Sequence, residues 1–134
     1  MSWYDSNKVD ELVGKILTNV IKNENEELTF ITAEGETYKM HHHQDCCESV
    51  YIEDINGDLQ DLVGSPITLA EESTSSELQP WENEDDDRYR DSFTWTFYRF
   101  ATLKGYVNIR WYGSSNGYYS ESVSFEKVGD GDGD

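Results

Sequence analysis

Apolar and polar residues alternate along much of the chain with the two-residue period of strands that bury one face. The alternation marks Lys15 to Lys22, Leu28 to Ala33, Thr37 to Met40 and Glu48 to Ile55, and returns over Phe93 to Phe100 and Tyr106 to Tyr119, where aromatic residues gather. Polar turns separate these runs: Asn23-Glu24-Asn25-Glu26, the tight reversal at Glu34-Gly35, and Asn56-Gly57-Asp58. Two short stretches carry helical signals instead. Asn7 to Val13 has Ser6 as a cap, Asp10 and Glu11 in its first turn and Gly14 at its end, while Leu59 to Val63 is closed by Gly64. The first half thus reads as a β-meander.

The second half replays the first. Leu62-Val63-Gly64 matches Leu12-Val13-Gly14, Lys104-Gly105 echoes Glu34-Gly35, and Glu121-Ser122-Val123-Ser124-Phe125-Glu126 matches Glu48-Ser49-Val50-Tyr51-Ile52-Glu53. Between the outer markers the second copy is longer by about 23 residues, most of them in the acidic, polar stretch from Ser73 to Asp91. The expected fold is mainly β with one or two short helices, two β-meander repeats packed as a sandwich or a partly closed barrel. Its core is expected around Phe30, Val50, Ile52, Trp95, Val107, Ile109, Val123 and Phe125. Aromatics on both faces of Phe93 to Phe100 imply burial on both sides or a partly exposed aromatic surface.

A chain of 134 residues is long enough to bury a core without staples, and residues 1–128 read as a single domain. Residues 73–91 read as an acidic mobile loop and 129–134 as a disordered tail, since crowded like charges have nothing to pack against. The tail alternates Asp and Gly but lacks the spacing of an EF-hand calcium loop. A net charge of -18 surrounds the molecule with a field that repels phosphate backbones and anionic membranes. Direct nucleic-acid binding is therefore disfavoured, whereas a solubilising surface, a basic partner or imitation of nucleic acid all fit. No apolar run is long enough to cross a bilayer, and no basic region followed by an apolar run marks the N-terminus. The two cysteines, Cys46 and Cys47, are neighbours that cannot join distant parts of the chain, and a reduced cytoplasmic compartment fits them best.

Reactive side chains are densest at His41-His42-His43-Gln44-Asp45-Cys46-Cys47-Glu48. A metal there would draw on His41, His43, Asp45 and Cys47, but a zinc site usually adds a second, separated pair of His or Cys ligands, and the chain has none. No resident cofactor is expected beyond such a divalent ion. A nucleophilic cysteine is disfavoured because the surrounding carboxylates raise a thiol's pKa, and no catalytic residue is assigned. At least one cysteine is expected to act as a small apolar residue at the start of a buried strand. The alternation puts Cys46, Glu48, Val50 and Ile52 on one face and Tyr119, Glu121, Val123 and Phe125 on the equivalent one. Glu48 and Glu121 then sit at the rim of the core, where a carboxylate needs a donor or a cation; for Glu121 a backbone group, Arg99 or Arg110 is expected. The repeat sets His41 to Cys47 against Trp111 to Tyr119, an aromatic, glycine-rich loop, and the two either lie at opposite ends or converge on one pocket.

At His43-Gln44-Asp45-Cys46-Cys47-Glu48-Ser49-Val50, followed by Ile52-Glu53-Asp54-Ile55 and Gly57-Asp58-Leu59, the sequence resembles a family of small uncharacterised proteins. That family is carried largely by bacteriophages and bacteria and is recognised by an H-x-Q-D-C-C-E-x-V run. The likeness covers about Leu12 to Val128 and implies an accessory phage protein in the bacterial cytoplasm, with no activity to carry over. The function expected is a small acidic binding protein, not an enzyme, that inhibits host defence by sequestering a nucleotide-derived ligand. Its ligand would meet His43, Gln44, Asp45, Cys46, Glu48, Tyr118, Tyr119 and Arg110. The alternatives are an acidic nucleic-acid mimic or effector-blocking protein with a basic host partner, and a small metal-dependent hydrolase. A homodimer is compatible with the aromatic strands.

Overall fold

A computed structural model describes residues 8–77, 79–80, 92–117 and 119–130. It contains eight strands: β1 (Leu17–Asn23), β2 (Glu27–Thr32), β3 (Glu36–His41), β4 (Ser49–Asn56), β5 (Leu69–Ser75), β6 (Ser92–Thr102), β7 (Gly105–Ser115) and β8 (Ser124–Asp130). Two 3-10 turns, Val9–Leu12 and Leu59–Leu62, precede β1 and β5 where the capping signals put helices. The turns stay short because each ends at a glycine with positive φ, Gly14 and Gly64. Ser6, the expected cap of the first, lies outside the described residues.

The strands form two open antiparallel sheets, in the orders β1-β2-β3-β8 and β4-β7-β6-β5, packed as a β-sandwich and not as a closed barrel. Each half of the chain builds a three-stranded meander and gives its fourth strand to the other sheet: β4 pairs with β7, and β8 with β3. The halves also meet through a reciprocal contact at their turns. Gly14 N–H donates to the Ile67 carbonyl (2.7 Å), and Gly64 N–H donates to the Leu17 carbonyl (2.9 Å). The same spacing recurs in the bridges Val13 to Ile67 and Leu17 to Val63. The internal echo of the sequence is therefore a pseudo-twofold of the fold, with exchanged end strands.

Alternation sends Leu28, Phe30, Tyr38, Met40 and Phe125 inward from one sheet and Ile52, Tyr98, Phe100, Val107, Ile109 and Trp111 from the other. Phe30 meets Phe100 across the sandwich with ring centroids 5.6 Å apart, and the Trp111 indole N–H donates to Met40 Sδ (3.3 Å). Each such side chain, fully withdrawn from water, contributes about 1.5–3 kcal/mol.

Three expectations change. Trp95 is buried, but its register opposite Tyr112 places it on the outer face of its sheet, stacked with Phe97, since odd positions of β6 face away from the core. The outer aromatics Phe93, Phe97 and Tyr112 are half-buried. The segment read as an acidic loop begins later than residue 73, because Ser73, Thr74 and Ser75 pair with β6 as the end of β5; residues 81–91 lie outside the described residues. Likewise Gly129 and Asp130 pair with β3, and only residues 131–134 of the expected tail fall outside the description.

Candidate functional site

Two crossovers carry the chain between sheets at the same end of the sandwich. Residues 42–48 lead from β3 to β4, residues 116–123 lead from β7 to β8, and the exchange of end strands makes them run side by side. The His42 Nδ1–H donates to the Ser122 carbonyl (2.7 Å), tying the two together. Gly113 allows the close approach: a Cβ there would lie 2.8 Å from the Glu121 carbonyl oxygen and 3.2 Å from Val50 Cγ2. The loop opposite His41 to Cys47 thus converges on it.

Glu48 is the hub of the first crossover. Its side chain is shut off from solvent, and its Oε2 accepts from His42 Nε2 (2.7 Å) and the Asp45 backbone N–H (2.7 Å) while Oε1 accepts from the Cys46 N–H (3.0 Å). Burial alone pushes this carboxyl's pKa up. The His42 bond and the Cys46 and Asp45 N–H groups outweigh it and bring the group from 4.5 down to about 2. The Ser122 carbonyl can only accept, and so does an ionised Glu48, so the His42 ring donates from both nitrogens and carries the positive charge. Gln44 completes the loop by donating its amide to the Glu48 carbonyl (2.7 Å) and the Cys46 carbonyl (3.3 Å).

The H-x-Q-D-C-C-E run therefore folds itself. His42, its first position, is absent from the expected ligand set, yet it is the partner that neutralises Glu48. Cys46 and Cys47 are exposed and joined to each other. The expectation of a buried apolar cysteine fails because the strand begins only at Ser49, so Cys46 lies in the loop and not on the core face. The bond also departs from the reduced thiols expected, and Cys47 as part of it offers no thiolate to a metal. Asp45 contributes its backbone and leaves its side chain exposed.

Beside the hub, the other histidines converge on a residue from the far end of the chain. His41 Nε2 lies 3.1 Å from Glu126 Oε1, and His43 Nε2 lies 2.7 Å from Glu126 Oε2. The two rings meet edge to face with centroids 4.5 Å apart. Pairing of β3 with β8 builds the cluster, because His41 stands opposite Ser124 and Lys39 opposite Glu126, which puts His41 and Glu126 on one outer face. Burial raises the Glu126 pKa and bonds from His43 and His41 lower it, for a net downward shift. Of the residues expected to ligate metal, His41 and His43 come together; Asp45 and Cys47 are not in the group, and Glu126 takes their place.

A cleft of about 470 Å³ opens next to both features, lined by Glu26, Glu27, His41, His42, Gln44, Glu48, Ser49, Val50 and Tyr51. The Ile52 N–H donates to the Asn25 carbonyl (2.7 Å), which docks the β1–β2 turn on β4 and sets Glu26 and Glu27 near Tyr51. Glu26, Glu27 and Tyr51 were not singled out from the sequence, because only the docked turn brings them to the crossover.

The remaining expected ligand residues are elsewhere. Arg110 lies on the outer face of the second sheet, where it donates to Glu53 (2.6 Å), approaches Asp54 (3.7 Å) and sits over the Trp95 ring. Tyr119 is half-buried, with its carbonyl 3.3 Å from the Ser115 hydroxyl oxygen; Tyr118 lies outside the described residues. Glu121 is buried as expected, but its donors are hydroxyls, Ser115 Oγ (2.6 Å) and Thr94 Oγ1 (2.8 Å), and not an arginine. Among the described residues no helix is long and apolar enough to cross a membrane.

No curated protein and no solved structure matches the chain. A family model described as a domain of unknown function, DUF7448, matches residues 10–125, from the first 3-10 turn into β8, enclosing both crossovers and the self-bonded run. The chain therefore belongs to the DUF7448 family.

Proposed function

We propose that this protein is a non-enzymatic binding module that takes a cationic segment of a partner protein, an exposed arginine or lysine with its neighbours, into the cleft beside the crossovers. The observation that carries the proposal is the lining of that cleft: Glu26, Glu27 and the partly exposed Tyr51 share it, acidic and aromatic residues suited to a guanidinium or ammonium group, and Glu27 already faces one such group, the Lys39 ammonium at 3.8 Å. The surrounding charge of -18 speeds the approach of such a partner. Binding fits better than catalysis because Glu48, the buried carboxylate at the cleft, is already saturated by three donors. A loop held that rigidly costs little entropy to dock.

The setting proposed is the bacterial cytoplasm, with a basic host effector as the partner of a phage-type accessory protein. It rests on the likeness carried by the H-x-Q-D-C-C-E-x-V run. Capture of a nucleotide-derived anion is the second reading, and one observation favours it: the imidazole and carboxylate cluster bordering the cleft could hold the cation that an anion would need among these acids.

The test is fluorescence anisotropy with a labelled peptide of three arginines spaced by glycines. Neutralising the cleft with Glu26→Gln/Glu27→Gln should weaken binding at least about tenfold, while Glu71→Gln/Glu77→Gln, equal in charge but on exposed sites elsewhere, should change it less than about twofold. Equal losses in the two pairs would reduce the attraction to the diffuse field and end the proposal.

A further inference from the structure

We infer that His41, His43 and Glu126 form a binding site for a divalent transition-metal ion, of which Zn²⁺ is the best match. The three ligand atoms lie within 4.8 Å of one another. Atoms each about 2.0–2.1 Å from a tetrahedral ion sit about 3.3 Å apart. His41 and His43 meet different oxygens of Glu126, Oε1 at 3.1 Å and Oε2 at 2.7 Å, so the carboxylate turns one oxygen to the ion while the two ring nitrogens stay within 4.8 Å of that oxygen. Two imidazoles and one carboxylate make a borderline-soft donor set that favours zinc over magnesium or calcium, which demand oxygen.

The fold supports the site from two directions. His41 and Glu126 are fixed by a hydrogen-bonded strand pair, so the backbone that positions them is rigid. His43 folds back over His41 from the first residues of the crossover, with its side chain 62% exposed, and leaves the outer side of the cluster open to solvent. Three protein ligands and one open position are the arrangement in which zinc keeps a water or takes a ligand group. The net negative field raises the local concentration of cations. The site borders the cleft through His41 but requires no partner, so it stands whether or not a basic segment binds there.

The experiment is calorimetric titration of chelator-treated, full-length protein with Zn²⁺ alone, repeated with Mg²⁺, and with Co²⁺ followed by visible absorption. Expected are one Zn²⁺ per chain, much weaker Mg²⁺ binding, and the intense absorption of tetrahedral Co²⁺. His43→Ala and Glu126→Gln should each weaken Zn²⁺ at least about tenfold, since losses even in the surroundings of a metal cost that much. Glu53→Gln, which removes a carboxylate on the other sheet, should leave the affinity unchanged. His43 is exposed enough for its replacement to leave the fold intact, and circular dichroism would verify this. Absence of saturable Zn²⁺ binding, equal Mg²⁺ binding, or an affinity unmoved by His43→Ala and Glu126→Gln would overturn the site. The peptide assay of the cleft runs on metal-free protein, so either result can fail without the other.

Discussion

Glu48 and Glu121 occupy corresponding places in the two crossovers, yet they are satisfied by different chemistry. Glu48 gathers an imidazolium and two backbone N–H groups from its own loop, whereas Glu121 takes neutral hydroxyls from β6 and β7, outside its loop. The first carboxylate therefore organises a segment with no strand of its own, and the second fastens a segment to a sheet that is already formed. A position that recurs in both halves can hold the same residue and do a different job, building a loop in one half and attaching one in the other.

The sharpest way to break this contrast is Glu48→Ala. It strands a buried imidazolium and two N–H groups at once, and thermal unfolding should fall by on the order of 10 °C. A midpoint within a degree or two of the parent would show that the loop does not depend on its hub.

Acid should reveal the same difference more gently. The folded-state pKa of Glu48 is depressed from 4.5 to about 2, so its contribution is complete above about pH 4.5 and is lost as the pH falls through about 2. Denaturant unfolding between these limits should show a steeper loss in the parent than in Glu48→Gln. Glu36, held low by Lys15 and Lys127, and Glu126 also contribute there, but they are common to both proteins and cancel in the comparison. Parallel curves would refute the assignment.

The smallest effect is expected at the second crossover. Glu121→Gln keeps an acceptor for one hydroxyl and loses part of the other bond, a cost of about 1 kcal/mol in urea unfolding. A loss as large as that of Glu48→Ala would mean that the two anchors are equivalent after all.

Much of the fold was legible. Alternation located the strands of the first half within a few residues, the glycine turns located the reversals, and the matching Leu-Val-Gly and Glu-Ser-Val markers revealed the twofold. The exchange of β4 and β8 was not legible, because alternation tells which face a residue uses but not which neighbour its strand joins. That gap explains the site as well. The local run drew attention to His41 to Glu48, but Glu126 becomes a neighbour of His41 and His43 only through the pairing of β3 with β8. His42 was hidden among three consecutive histidines that differ only in direction. Trp95 was misplaced for a related reason: its strand is aromatic on both faces, so composition could not choose the inner one.

The exchanged strands bear on how the protein is made. While a ribosome is still translating the second half, β3 has no partner on its far side, and that edge stays open until residues 124–130 emerge. The first meander is thus synthesised early but sealed late, and the same closing step delivers Glu126 to the waiting histidines. A nascent chain stalled before β8 would expose an unpaired edge to its neighbours on the polysome, the condition under which strands of separate chains join.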